Sequence, residues 1–164
     1  MNNFPNYQSF SNEILIHKPI AEVFNFLANF ENLPKWNYYV VSVKKTTLDS
    51  VGIGTTYHQI RKSDSQNFRI IEFERNKIVA METLPPERYL KMRFILSSEG
   101  NSTRLVDTWS VKVAWYEILV ARLTKNKIKN AVADNLDKLK TLLETGKVTL
   151  QDGRGISLSN SDKL

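Results

Sequence analysis

The chain of 164 residues has no cysteine and only two histidines, His17 and His58. The missing cysteine excludes disulfide scaffolds, thiol nucleophiles and thiolate metal sites. Neither histidine has an Asp or Glu at ligand spacing, so no metal is expected, and no other cofactor. No apolar run approaches the ~20 residues that a membrane-spanning helix requires. The segment Met1 to Phe10 is polar and lacks the apolar core of a secretory signal, which points to a cytoplasmic protein. Gly52-Ile53-Gly54 has Tyr57 where a dinucleotide fingerprint needs its third glycine, and a strand pattern follows it. No Gly-x-Ser-x-Gly elbow occurs. Any chemistry here therefore runs on Asp, Tyr or His.

What is present is 41% hydrophobic and 24% charged residues, the profile of one globular domain. Six segments rich in β-branched and aromatic residues read as strands: 40–48, 55–62, 66–75, 78–84, 88–98 and 103–113. Turn chemistry separates them at Gly52 and Gly54, Ser63-Asp64-Ser65, Asn76, Pro85-Pro86 and Gly100-Asn101, which predicts an antiparallel meander. An earlier strand, 10–16, precedes Pro19, and Ile20, Val23, Phe24 and Leu27 then give a short amphipathic helix. A second short helical region spans 29–36. Residues 115–145 contain neither Gly nor Pro, and Ile128, Val132, Leu136, Leu139 and Leu143 mark one helical face that Gly146 stops. The expected architecture is α+β: a curved antiparallel sheet of about seven strands, two short helices after the first strand, and a long C-terminal helix across the concave face. Residues 9–145 would form the domain and 146–164 a polar tail, with a short ordered piece at 148–150.

This order, with particular residues in register, resembles the SRPBCC superfamily of START-like and Bet v 1-like helix-grip proteins. Within it the polyketide cyclase/dehydrase-like or lipid-transport-like group is most similar. The resemblance is carried by Ile16-His17-Lys18-Pro19-Ile20-Ala21-Glu22-Val23-Phe24, Leu33-Pro34-Lys35-Trp36, Val51-Gly52-Ile53-Gly54-Thr55, Ile71-Glu72-Phe73 and Thr103-Arg104-Leu105. It implies a cavity between sheet and long helix that holds an apolar or amphipathic small molecule such as a lipid, polyketide or aromatic. It does not imply an activity, which has to be argued from the site.

Strand alternation nominates the lining. Leu105, Asp107, Trp109 and Val111 face inward if Arg104, Thr108 and Lys112 face solvent, and Leu90, Met92, Phe94 and Leu96 follow in the preceding strand. Val79 and Met81 point in against Glu82. Strand 66–75 admits two parities, and the one taken here sends Ile71 and Phe73 inward; Tyr57 and His58 stay undecided between the faces. The expected ligand-binding set is thus Ile71, Phe73, Met81, Met92, Phe94, Leu105, Asp107 and Trp109. An alternative is a cyclase or aromatase-like enzyme in the same cavity, with Asp107, Tyr57 and His58 as its acid–base candidates. A third reading is a peripheral membrane or interaction protein. It draws on the basic run Arg122, Lys125, Lys127 and Lys129 and on the aromatics Trp36, Tyr38, Tyr39, Trp115 and Tyr116. The net charge of +6 is spread over the domain, so nucleic acid is not an expected partner. Transient membrane-surface contact stays open, as do monomer and homodimer.

Overall fold

A computed structural model describes residues 6–159; the segments 1–5 and 160–164, and the side chain of Trp115, lie outside the described residues. The polar N-terminal segment read as lacking a signal core and the last part of the expected tail fall partly there.

Strand β1 (Asn6–Ile16) runs into α1 (Ile20–Ala28) and a 3-10 helix (Phe30–Lys35). Pro19 occupies the N-cap of α1, where its missing N–H costs nothing, and Val23, Phe24, Phe26 and Leu27 form the buried face. Strands β2 (Val40–Lys45), β3 (Thr56–Arg61), β4 (Ser65–Glu74), β5 (Ile78–Thr83), β6 (Leu90–Glu99) and β7 (Ser102–Val113) follow as a meander. They pair antiparallel in the order β1-β7-β6-β5-β4-β3-β2, so the first strand closes beside the last of the meander. A 3-10 turn (Trp115–Glu117) leads into α2 (Ile118–Thr145), which crosses the concave face. This is the helix-grip architecture expected from the sequence.

The buried apolar contacts of the long helix all lie in its C-terminal half. Val132, Leu136, Leu139 and Leu142 are buried against the sheet. Lys140 Nζ donates to the Leu15 carbonyl at 2.8 Å, and Asn12 Nδ2 donates to the Lys129 carbonyl at 3.2 Å. Further toward its N-terminus the helix stands off the sheet, and Ile128 is 48% exposed. The expected stripe is corrected at both ends: Leu142 rather than Leu143 completes the buried face, and Ile128 edges a hollow. Gly146 ends the helix at φ 79°, the left-handed conformation that a side chain disfavours, and its N–H closes on the Leu142 carbonyl at 2.8 Å.

Residues 147–158 differ from the expected polar tail. Strands β8 (Lys147–Thr149) and β9 (Gly155–Ser157) form a hairpin that buries Val148 and Leu150 in the main core. Apolar residues at alternate positions, Val148, Leu150, Ile156 and Leu158, supply its inner face despite the Gly- and Ser-rich composition.

Strand β4 resolves its own ambiguity with a bulge. The pairing with β5 shifts between Ile70 and Glu72, so that Phe68 and Ile70 face inward before the bulge and Phe73 after it. Glu72 then lies on the outer face between Lys91, at 2.8 Å, and Arg93, at 3.0 Å. The hydrogen bond from Lys91 leads the effects that hold its carboxyl below the usual range. Ile71 is the extra residue, which corrects its assignment to the cavity lining.

Candidate functional site

Where the N-terminal half of α2 lifts from the sheet, two hollows open. The deeper, about 310 Å³, is walled by Met81, Leu90, Met92, Trp109, Ile128 and Val132, with Gln59, Gln66 and Asn135 among its polar groups and Arg61 and Lys127 as charged ones. The wider, about 750 Å³, extends under the start of α2 past Phe10, Val111, Tyr116, Val120 and Ala121. Arg61, Gln66, Leu90, Trp109 and Ile128 are common walls of both. Both sizes fall in or near the range of small-molecule sites. Ion pairs stand at the edge of the wider one: Arg61 with Asp64 at 2.6 Å and Arg88 with Glu117 at 2.7 Å.

The buried amides of the deep hollow each have hydrogen-bond partners. Gln66 Nε2 donates to Gln59 Oε1 at 2.8 Å across the β3–β4 pair, and both side chains are buried. Asn135, on α2, accepts from the Tyr38 N–H and the Gln151 amide, each at 3.2 Å, and donates to Asn37 Oδ1 at 3.3 Å. Buried amides need such partners, and here they also hold the helix, the β8–β9 connection and the chain before β2 in one register.

Of the residues named from sequence, Met81, Met92 and Trp109 line the deep hollow. Phe94 and Leu105 lie deeper, fully buried in the core, and Phe73 packs edge-on against Phe24 with centroids 5.5 Å apart. Trp109 stacks on its cross-strand neighbour Phe10, with rings 6.1 Å apart and nearly parallel at 8°. The three acid–base candidates are not brought together. His58 lies on the outer face with its Nδ1 2.9 Å from Asn67 Oδ1, which corrects its candidacy as a cavity residue. Tyr57 faces inward, stacked on Phe68 and edge-on to Phe30, and its hydroxyl has no partner among the described residues. Burial, with a contribution from Glu31, pushes that phenol up to about 12. Three strands separate Tyr57 on β3 from Asp107 on β7.

Asp107 is the strongest electrostatic feature. It is 1% exposed, Oδ2 accepts from Trp109 Nε1 at 2.8 Å, and Oδ1 has no hydrogen-bond partner among the described residues. Burial raises its pKa to about 7, against the lowering effect of the indole donor. Neither hollow has Asp107 as a wall; it stands behind Trp109 and fixes that ring.

The folded carboxyl holds its proton to about pH 7 and the unfolded one only to about 3.9, so this group's contribution is full below about 4 and falls away as pH rises to 7. Asp107→Asn is expected to remove a pH-dependent loss on the order of a few kcal/mol across that window. Urea denaturation of both proteins at a series of pH values checks this, and parallel stability profiles would refute it.

Sequence reasoning missed the Gln59–Gln66 pair and Asn135. Gln66 alternates with Phe68 and Ile70, so the inward parity of β4 before the bulge would have found it; Asn135 lay next to Leu136 on the apolar stripe.

The chain belongs to the family described as polyketide cyclase / dehydrase and lipid transport, whose match spans residues 7–144. No curated protein matches it. Among solved structures, TTHA0849 from Thermus thermophilus aligns with a TM-score of 0.67 at 16% identity, covering 83% of this chain and 97% of that one. The Aha1 dimer from Colwellia psychrerythraea aligns at 0.63 and 20% identity, covering 86% and 99%. The di-domain ARO/CYC StfQ from the steffimycin biosynthetic pathway aligns at 0.67 and 9% identity, covering 84% of this chain and 51% of StfQ. At these identities the structural likeness concerns the fold alone. Family and fold together support a hydrophobic-ligand or cyclase-type role. Among the described residues no helix is long and apolar enough to cross a membrane.

Proposed function

We propose that the protein binds an apolar or amphipathic small molecule in the hollow between sheet and α2. The observation that carries this reading is the deep hollow itself. Met81, Met92, Leu90 and Trp109 give it an apolar and polarisable wall, the buried Gln59–Gln66 pair and Asn135 interrupt that wall, and Arg61 and Lys127 add two cations to the lining. Affinity then comes from burying ligand surface at about 25 cal/mol per Å². Gln59 and Gln66 supply a donor and an acceptor that fix the orientation of one polar ligand group. Methionines suit an irregular ligand because their side chains adjust at small cost.

The cyclase alternative needs an acid and a base converging on the ligand. The ARO/CYC domains of StfQ share the fold, which keeps that reading in view. Asp107 is three strands away from Tyr57, the adjacent His58 points to the opposite face of β3, and none of the three is a wall of either hollow, so binding is the better-supported role.

The reading is tested by titrating the protein with anilinonaphthalene sulfonate and with long-chain alcohols that compete for it. Binding should saturate at one site, and Gln66→Leu should weaken an alcohol by about 5- to 10-fold, the worth of one hydrogen bond. The same variant should leave a hydrocarbon competitor unaffected. Failure of any apolar probe to saturate, with the protein folded, would refute the proposal.

A further inference from the structure

The outer side of α2 carries an arrangement that extends beyond the ligand site, although Lys125 and Lys127 also stand at the walls of the wider and the deeper hollow. Leu119 and Leu123 are 69% and 75% exposed, far more than large aliphatic residues of a packed helix. At about 100° per residue they fall on one line along the helix. Arg122 and Lys129 flank that line on one side and Lys127 on the other, with Lys125 beyond Lys129. Residues 118–133 contain no Asp or Glu. None of the four cations has an ion-pair partner among the described residues. The opposite side of the same helix, Ala121, Thr124 and Ile128, walls the wider hollow.

We propose that this face of α2 docks on the surface of an anionic lipid bilayer. Leucines enter the acyl boundary while the flanking cations meet headgroup phosphates, the division of labour of an interfacial amphipathic helix. Charge complementarity selects this occupant. A second copy of the chain would set four cations against four in a two-fold contact. A nucleic acid would engage the cations but leave Leu119 and Leu123 without an apolar partner. Docking holds whether or not the hollow carries a ligand. Its consequence is that the wider hollow, walled by Tyr116, Val120 and Lys125 on this same segment, lies next to the lipid surface. An apolar molecule then passes between bilayer and hollow over a short path.

Co-sedimentation of the full chain with two vesicle types tests the proposal: phosphatidylcholine alone, and an equal mixture of phosphatidylcholine and phosphatidylglycerol. The protein should sediment with the anionic vesicles only, and less as salt is raised. Arg122→Gln with Lys127→Gln should lower the partition coefficient about 25-fold, each cation near the surface contributing about 5-fold. Leu119→Ser with Leu123→Ser, which leaves the charge intact, should lower it by more than about 10-fold. All four side chains are exposed, and circular dichroism and melting curves should match those of the parent. Absence of sedimentation with anionic vesicles would overturn the proposal, as would undiminished binding by the double-leucine variant. Duplex DNA outcompeting the vesicles, or a dimer abolished by the leucine substitutions, would overturn it in favour of those partners.

Discussion

Leu139→Ala should cost about 2–5 kcal/mol of folding stability, whereas Leu123→Ala, about four turns nearer the start of the same helix, should cost less than about 0.5. Leu139 is fully buried between α2 and the sheet, in a cluster with Leu136, Leu142 and Val148. Truncation there removes transfer free energy and leaves a cavity that the sheet cannot close. Leu123 touches little and stands in solvent. Denaturant unfolding of the two variants measures the contrast directly. Comparable losses would mean that the start of α2 is packed, which would close the hollows and remove the docking face together. Amide hydrogen exchange gives the same contrast along the backbone: slow at 132–142, fast at 118–127.

Ala131→Trp should lower the affinity for an apolar probe by at least about 100-fold, or roughly 3 kcal/mol, while costing about 1–3 kcal/mol in stability. Ala131 is a wall of the deep hollow on α2, and an indole from that position occupies the space between Met81, Met92 and Trp109. Ala131→Val keeps most of the space and serves as the control, with a change within about fivefold. Probe titration of both variants, after their melting curves confirm folding, reads the effect. An unchanged affinity in folded Ala131→Trp would place the ligand elsewhere.

How far the sequence reached depends on which side chains marked a face. In β6 and β7 charged residues at alternate positions, Lys91 and Arg93, Arg104 and Lys112, declare the outer side, and Met92, Phe94, Leu105 and Asp107 are buried as expected. In β4 no such marker spans the strand, because the bulge at Ile71 reverses its parity halfway. Each of the two alternation patterns holds for one half of that strand. Composition hides the hairpin after α2 because it averages over the residues that matter: Val148 and Leu150 are few, but they alternate and are buried. Asp107 is legible as a carboxylate on an apolar face, but not its bond to Trp109, two residues along the same face of β7. A cavity between sheet and long helix is implied by the family resemblance alone; alternation and periodicity do not reveal the hollow. It arises because α2 is anchored at its C-terminal half and stands away from the sheet at the other. The apolar periodicity of the helix does not distinguish a wall from a core, since Ile128 and Leu136 look alike in sequence.

That the hollow under α2 receives an apolar or amphipathic molecule is tested most directly by native mass spectrometry of the full chain purified from cells, with Ala131→Trp prepared in parallel. An added small-molecule mass is expected on the parent protein, released by organic extraction and missing from the variant. Parent protein that carries no added mass, and gains none when incubated with the organic extract of the same cells, would contradict it.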